Sequence, residues 1–328
     1  MKKNILNSQI FIEKNNKKRI KRKKSTLFLC VFILIILNII SYIVPVFYPY
    51  DYKTTSASKY SDSQPYLKPL EYSEKEKEKI SDGEKVFPHI LGTDSIGRDY
   101  AARIIYGTRI SMTIGILATA MIIIIGVSYG AISGFIGGKT DLIMMRIVDI
   151  IYSLPDILII ILLSVLLRKI IIEKNLTEIK VGVEFMSVLF AFGILYWVGM
   201  ARIVRGEILS LKEKEFIQAA KLMGLSPIKI ILKHLIPNCL PVIIITATLQ
   251  MPMAIFTESY LSFLGIGISM PIPSLGTLIS ESRSYLNVSG CEYIFIIPCI
   301  MIFIIVFSFN LLGDCIKEIY SKHTRMEE

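Results

Sequence analysis

Two stretches of this sequence are too long and too apolar to sit in water. Thr26 to Val44 carries no charged residue, and neither does Ser111 to Gly138. A helix rises about 1.5 Å per residue, so roughly 20 apolar residues match the hydrocarbon thickness of a bilayer. Four weaker candidates follow, near 147–167, 185–201, 241–257 and 293–312. The third is interrupted by Asp149, Pro155 and Asp156 in its first half, and the fifth contains Pro252. The pattern predicts an all-α, polytopic membrane protein with about six transmembrane helices. Composition agrees: 53% of the 328 residues are hydrophobic and the mean hydropathy is +0.57. The apolar residues lie in runs with the charges between them, unlike a soluble core.

The charge pattern orients the chain. Ten Lys/Arg fall in the first 24 residues, against the single acid Glu13. A basic arm of this kind suits nucleic acid or an anionic membrane surface. It leads directly into the first apolar run, so it reads as a cytoplasmic flank under the positive-inside rule, with no nucleic-acid partner. A cleaved signal peptide is the rival, but its apolar core is only about 7–15 residues and ends in small residues. Here Tyr42, Ile43, Val44 and Pro45 follow. The expected order is a basic cytoplasmic N-terminus (1–25), a first span (26–46), an extracytoplasmic segment (47–110), a five-helix core (111–313) and a cytoplasmic tail (314–328). The segment from 47 to 109 has ten basic and ten acidic residues, and at that length it crosses regardless of charge. Its run Glu74–Lys79 reads as a solvated helical or flexible face. The loops near 139–146 and 202–240 fall inside, the latter with seven Lys/Arg against three Glu up to residue 233. The outer loop near 168–184, with four basic and three acidic residues, is a mild conflict.

Several chemistries find no support. The five cysteines form no C-x-x-C pair and read as small buried hydrophobes. The three histidines are scattered, so no metal site is expected. Ser133–Thr140 nearly spells a phosphate-binding loop, but Ser133 replaces the first glycine and the segment follows a membrane span rather than a strand. No nucleophile motif points to a membrane enzyme. A secondary transporter would show an inverted repeat, and none is evident. Gly126, Gly130 and Gly134 share one helix face, which lets a second helix approach closely. Asp149, Asp156, Glu258 and Asn310 are candidate intramembrane polar residues. The three acids fall near span ends, where water reaches them, so structural polar contacts are favoured over a substrate or ion role.

The long cytoplasmic loop, 205–240, has internal order. Lys212 to Met223 reads as a short helix with Phe216, Ala219, Ala220 and Met223 on one face. Gly224 stops it. Ser226-Pro227 starts a second helix, which Pro237 is expected to break before the fifth span. Insertion of the alanine face into a partner's groove and an amphipathic helix lying on the membrane both fit.

The residues themselves resemble a known family. Glu215-Phe216-Ile217-Gln218-Ala219-Ala220-Lys221-Leu222-Met223-Gly224, followed by His234-Leu235-Ile236-Pro237-Asn238, resembles the EAA loop of ABC-importer permeases. Gln218 stands in the acid position, His234 where many members have Ile, and Ile236 where many have Leu. Leu91-Gly92-Thr93-Asp94-Ser95-Ile96-Gly97-Arg98-Asp99, with Tyr106–Ser111, resembles the signature before the second span in the dipeptide, oligopeptide and nickel permeases. Glu258–Gly267 and Phe309–Asp314 match further motifs in the same order. Leu275 departs from a position that is often Trp. The resemblance covers about residues 25–320.

It implies a transport subunit, not an enzyme. Such importers have a second permease subunit, two ABC ATPase subunits and an extracytoplasmic solute-binding protein. ATP and Mg are held by the ATPases, and no cofactor is expected on this chain. The resemblance implies that Glu215, Phe216, Gln218, Ala219, Ala220, Gly224 and Pro237 contact an ATPase. It also makes Gly92, Thr93, Asp94, Gly97, Arg98 and Asp99 an outer family motif. Peptides and nickel are both family cargoes. The paucity of His and Cys favours peptides.

Overall fold

The computed structural model describes residues 2–53, 64–174, 182–268, 272–287 and 290–327. The first helix, α1 (Lys2–Phe47), runs unbroken from the basic arm into the first span. A short outer helix, α2 (Glu74–Ser81), lies between spans and starts with a capping box, Ser73 and Glu76 bonding each other's backbone. Then comes α3 (Tyr100–Ile136), which begins eleven residues before the uncharged run, because Asp99 caps its N-terminus through the Ala102 amide.

The expected third span is not one helix. α4 (Gly138–Tyr152) occupies what the sequence suggested was a loop plus half a span. α5 (Asp156–Glu173) leaves it at 89°. Pro155 explains the break: it supplies no amide to a continuing ladder and restricts Leu154 before it. The outer loop near 168–184 is helical to Glu173, and its residues 175–181 lie outside the described set. Next, α6 (Val183–Leu195) and α7 (Trp197–Lys212) meet at Tyr196 and form one span. Among the described residues five helices are long and apolar enough to cross a membrane, and counting the bent α4–α5 pair as one span gives six.

The hairpin expected in the long 205–240 loop is α8 (Glu215–Leu222) and α9 (Pro227–Ile230). The helix expected from Lys212 starts later, because Lys212 is the last residue of α7 and the Lys214 amide bonds the Leu211 carbonyl in a turn. Pro237 does not break the chain as expected. Residues Ile231–Leu235 form a π turn, with the Ile236 amide reaching the Ile231 carbonyl, and α10 (Ile236–Phe263) continues from it. The widened turn absorbs the bond that proline cannot make. A short α11 (Leu275–Ser282) folds back over the outer end, and α12 (Tyr293–Glu327) closes the fold.

α3 is the central post. It packs along α7 and against α10, α1 and α6. The glycines four apart do what their spacing predicts. A methyl group at Gly126 would lie 2.6 Å from Met200 Cβ, one at Gly130 would strike the Ala201 carbonyl, and one at Gly134 would lie 3.0 Å from Ile208. The α3 and α7 backbones therefore touch through these glycines. Gly206, on another face of α7, has open space around it.

These two positions give a paired test. Gly130→Ala should cost about 1–3 kcal/mol through forced backbone separation. Gly206→Ala should be neutral or slightly stabilising, because alanine favours the helix. Thermal unfolding of the detergent-solubilised chain measures both. Equal melting points for the two variants would contradict the close α3–α7 contact.

Candidate functional site

The α8–α9 hairpin is two-faced. Ile217 and Ala220 are buried on α8 and join Val204, Ile208, Ile230, Leu235 and Cys239 in one apolar cluster. Gly224 has φ +73°, the left-handed region glycine enters without strain. Its turn lets the Met223 amide bond the Ala219 carbonyl and the Leu225 amide bond the Ala220 carbonyl. Lys221 lies over the Phe135 ring at 5.9 Å, tying α8 to the end of α3. This corrects the expected face: Ala220 points into the permease, while Ala219 points out. The outward face carries Phe216, Ala219, Leu222, Met223, Ile228 and Leu232, with Leu222 89% and Met223 72% exposed. Glu215, Gln218 and Pro237 are exposed as well. The inward role of Ile217 was missed by sequence reasoning, although its i, i+3 spacing to Ala220 carries the signal.

Outside the spans, the motif from Gly92 to Asp99 builds a charge clamp. Gly92 (φ +70°) turns the chain against Leu67, where a side chain would meet the Leu67 carbonyl. Gly97 (φ +79°) closes the next turn. Thr93 accepts from the Leu67 amide at 3.0 Å. Asp94 accepts from the Ile96 and Arg98 amides, each at 2.9 Å. Its other oxygen receives Arg98 Nε at 2.6 Å and an Arg103 guanidinium nitrogen at 2.9 Å. Glu281 on α11 completes the clamp, taking Arg98 at 2.9 Å and Arg103 at 2.7 and 3.0 Å. Nothing in local spacing points to Glu281 or Arg103. Their partnership crosses 178 positions of sequence.

Asp99 has a second task beyond capping α3. His89 Nδ1 lies 2.7 Å from it, and His89 Nε2 lies 3.2 Å from Glu76. The imidazole stacks on Tyr50 at 4.3 Å. Burial disfavours its charged form, but the hydrogen bonds and charges of Asp99 and Glu76 outweigh that and raise its pKa to about 9. Glu76 is therefore not part of a merely solvated face. It is buried and engaged.

The intramembrane polar residues separate into different environments. Glu258 does not meet water as its position suggested: it is completely buried and receives Ser262 at 2.8 Å, Ser111 at 3.0 Å and Ser259 at 3.3 Å. Ser111 also accepts the Leu275 amide at 3.2 Å, so this cluster docks the start of α11. Asp149 pairs with Arg202 at 2.5 Å, beside an Asp141–Arg205 pair at 2.5 Å. Asp156 opens α5 and accepts the Ile157 amide at 2.9 Å. Asn310 is exposed on α12.

The His89 arrangement predicts a pH dependence. Because its folded pKa of about 9 exceeds the ordinary histidine value of 6.5, its stabilisation is full below pH 6.5 and fades as pH rises through 9. Melting of the wild-type chain should drop between those limits, and His89→Gln should flatten that slope. Parallel slopes for the two would refute the clamp.

Residues 126–326 match the family described as "Binding-protein-dependent transport system inner membrane component". The oligopeptide transport system permease protein OppC of Bacillus subtilis (strain 168) is 36% identical over 286 residues, covering 87% of this chain and 82% of that protein. The dipeptide transport system permease protein DppC of the same organism is 40% identical over 230 residues, 70% of this chain and 67% of that protein. OppC of Haemophilus influenzae is also 40% identical over 230 residues, covering 70% of this chain and 69% of that protein. Among solved structures, a chain of the inward-facing MetNI methionine ABC transporter aligns with 65% of this chain and 96% of its own at 19% identity and a TM-score of 0.48. With the described helices arranged as spans and the family match covering more than half of its length, this chain belongs to the binding-protein-dependent transport system inner membrane components and is an ABC-importer permease subunit.

Proposed function

We propose that this chain carries di- or oligopeptides across the cytoplasmic membrane as one of two paired permeases, with both of its termini in the cytoplasm. Separate ATPase subunits hold ATP and Mg, and a solute-binding protein delivers cargo to the outer face. The peptide assignment draws on the relatives, which are named as oligopeptide and dipeptide permeases. The orientation draws on the basic arm and the basic 202–233 segment.

One observation carries the coupling role. The α8–α9 hairpin is fixed into the core on one face and bare and apolar on the other, with Leu222 89%, Met223 72% and Ile228 69% exposed. Water-facing apolar groups concentrated on a rigid hairpin suit a groove on a partner. Ala219 keeps that face narrow, Phe216 and Leu222 supply area, and Glu215 offers a carboxylate to a basic partner. The hairpin transmits only the difference between its contacts in the two ATPase states. Closure of the ATPases on ATP displaces the hairpin and turns the permeases from inward-facing to outward-facing.

Two substitutions test this. Leu222→Asp removes outward apolar area without touching the core, so the chain should fold normally yet lose most co-purifying ATPase and peptide uptake. Gly224→Val forces a β-branched residue to positive φ, at about 1–2 kcal/mol of local strain, and should impair assembly and uptake together. Normal ATPase assembly and normal uptake by Leu222→Asp would overturn the coupling assignment.

A further inference from the structure

Backbone that leaves the helical ladder at membrane depth persists only where protein covers it or where it lines a cavity. The α4–α5 break at residues 153–155 is such a place, and a cavity of about 470 Å³ lies against it. That volume falls in the range of small-molecule sites, about 300–1,000 Å³. Its polar lining consists of Asp156, Gln250, Tyr152 and Tyr196, and Gly199 forms part of its wall. The cavity is partly enclosed and partly open to its surroundings.

Its depth follows from helix geometry. Tyr196 lies about 20 Å along α6 from Val183 and about 9 Å along α7 from Arg202. Gln250 lies about 20 Å along α10 from Phe263. Measured from those ends, both side chains lie at the same distance along their helices, well inside the apolar spans.

The charges at that level do not balance. Arg202, the nearest basic residue along α7, is already held by Asp149 at 2.5 Å and stacked on Tyr152 at 4.1 Å. Among the described residues no Lys or Arg pairs with Asp156, whose one recorded bond is the Ile157 amide of its own helix. Nor does any described group hydrogen-bond the Gln250 amide, which lies next to Gly199. A carboxylate at membrane depth is costly unless a cation or water meets it. An acid, an amide and two phenol rings around an open cavity match a primary ammonium attached to a peptide backbone. The carboxylate takes the charge, the rings attract it from the side, and the amide pairs with a peptide group.

We propose that this cavity is a cargo-contact site within the translocation path, with Asp156 receiving the cargo's ammonium group and Gln250 its backbone. The ammonium as ligand rests on the peptide reading above. The attraction for cations is a property of the cavity itself and is tested separately.

The experiment uses the assembled complex in proteoliposomes. In Gln250→Cys, labelling by a cationic methanethiosulfonate is compared with labelling by an anionic one, and the parent chain sets the background. The cationic reagent should react roughly tenfold faster after correction for the reagents' rates with a free thiol. Adding Asp156→Asn should remove that preference. Equal corrected rates with Asp156 in place would overturn the proposal. In a second arm, uptake of radiolabelled trialanine is measured with Gln250 intact. Asp156→Asn should lower uptake roughly tenfold with assembly unchanged, and Asp156→Glu should restore most of it. Wild-type uptake by Asp156→Asn would overturn the role in cargo passage. Loss of complex assembly would also overturn it, by making Asp156 a contact to the second permease. If the wild-type complex imports no trialanine while the cation preference holds, the peptide reading fails and the cation site stands.

Discussion

A bilayer core supplies no hydrogen bonds, and most of this chain's architecture follows from that constraint. Each amide must find its carbonyl within the chain, so the described spans are helical. Where the ladder is interrupted, something local takes over. The π turn at Ile231–Leu235 absorbs Pro237. The 89° bend before Asp156 opens onto a cavity. Buried Glu258 is met by three serine hydroxyls. These irregular places are also where polar side chains gather, because groups that cannot face lipid collect where the backbone already departs from regularity.

Packing between spans rests on a different term. Lipid tails are as apolar as leucine, so close van der Waals contact replaces the hydrophobic effect between helices. The glycine stripe of α3 provides that contact with α7, and α7 in turn carries the arginines that hold Asp141 and Asp149 on α4. The α8–α9 hairpin is built onto the end of this pair, through Ile208 and the buried face of α8.

The sequence showed much of this and hid particular parts. Uncharged runs announced the spans because charge is intolerable across about 30 Å of hydrocarbon. Gly224 announced the hairpin turn because its φ is +73°. What failed was local inference at proline. Pro155 was expected within one span and instead bends the chain by a right angle, while Pro237 was expected to break a helix and is absorbed by a widened turn. Residue identity alone does not distinguish those outcomes, since each depends on the neighbouring helices. The direction of Ala220 was misjudged because the double alanine looks symmetrical in sequence, while the buried partner that orients it is Ile217. Glu281 was invisible because its arginine partners come from a distant segment.

The continuous rod from Pro227 to Phe263 has a mechanical consequence. It spans 37 residues, about 55 Å, as one helical run that takes in the π turn at Ile231–Leu235 and the prolines Pro241 and Pro252. One end is the second arm of the α8–α9 hairpin, and near the other sits Glu258 with its serines, holding the start of α11. Through Glu281, α11 also holds the outer arginine clamp. A single helical run held at both ends ties the hairpin to the start of α11. A tilt at the hairpin end is carried toward α11, with the π turn and the two prolines as the places where the run can bend.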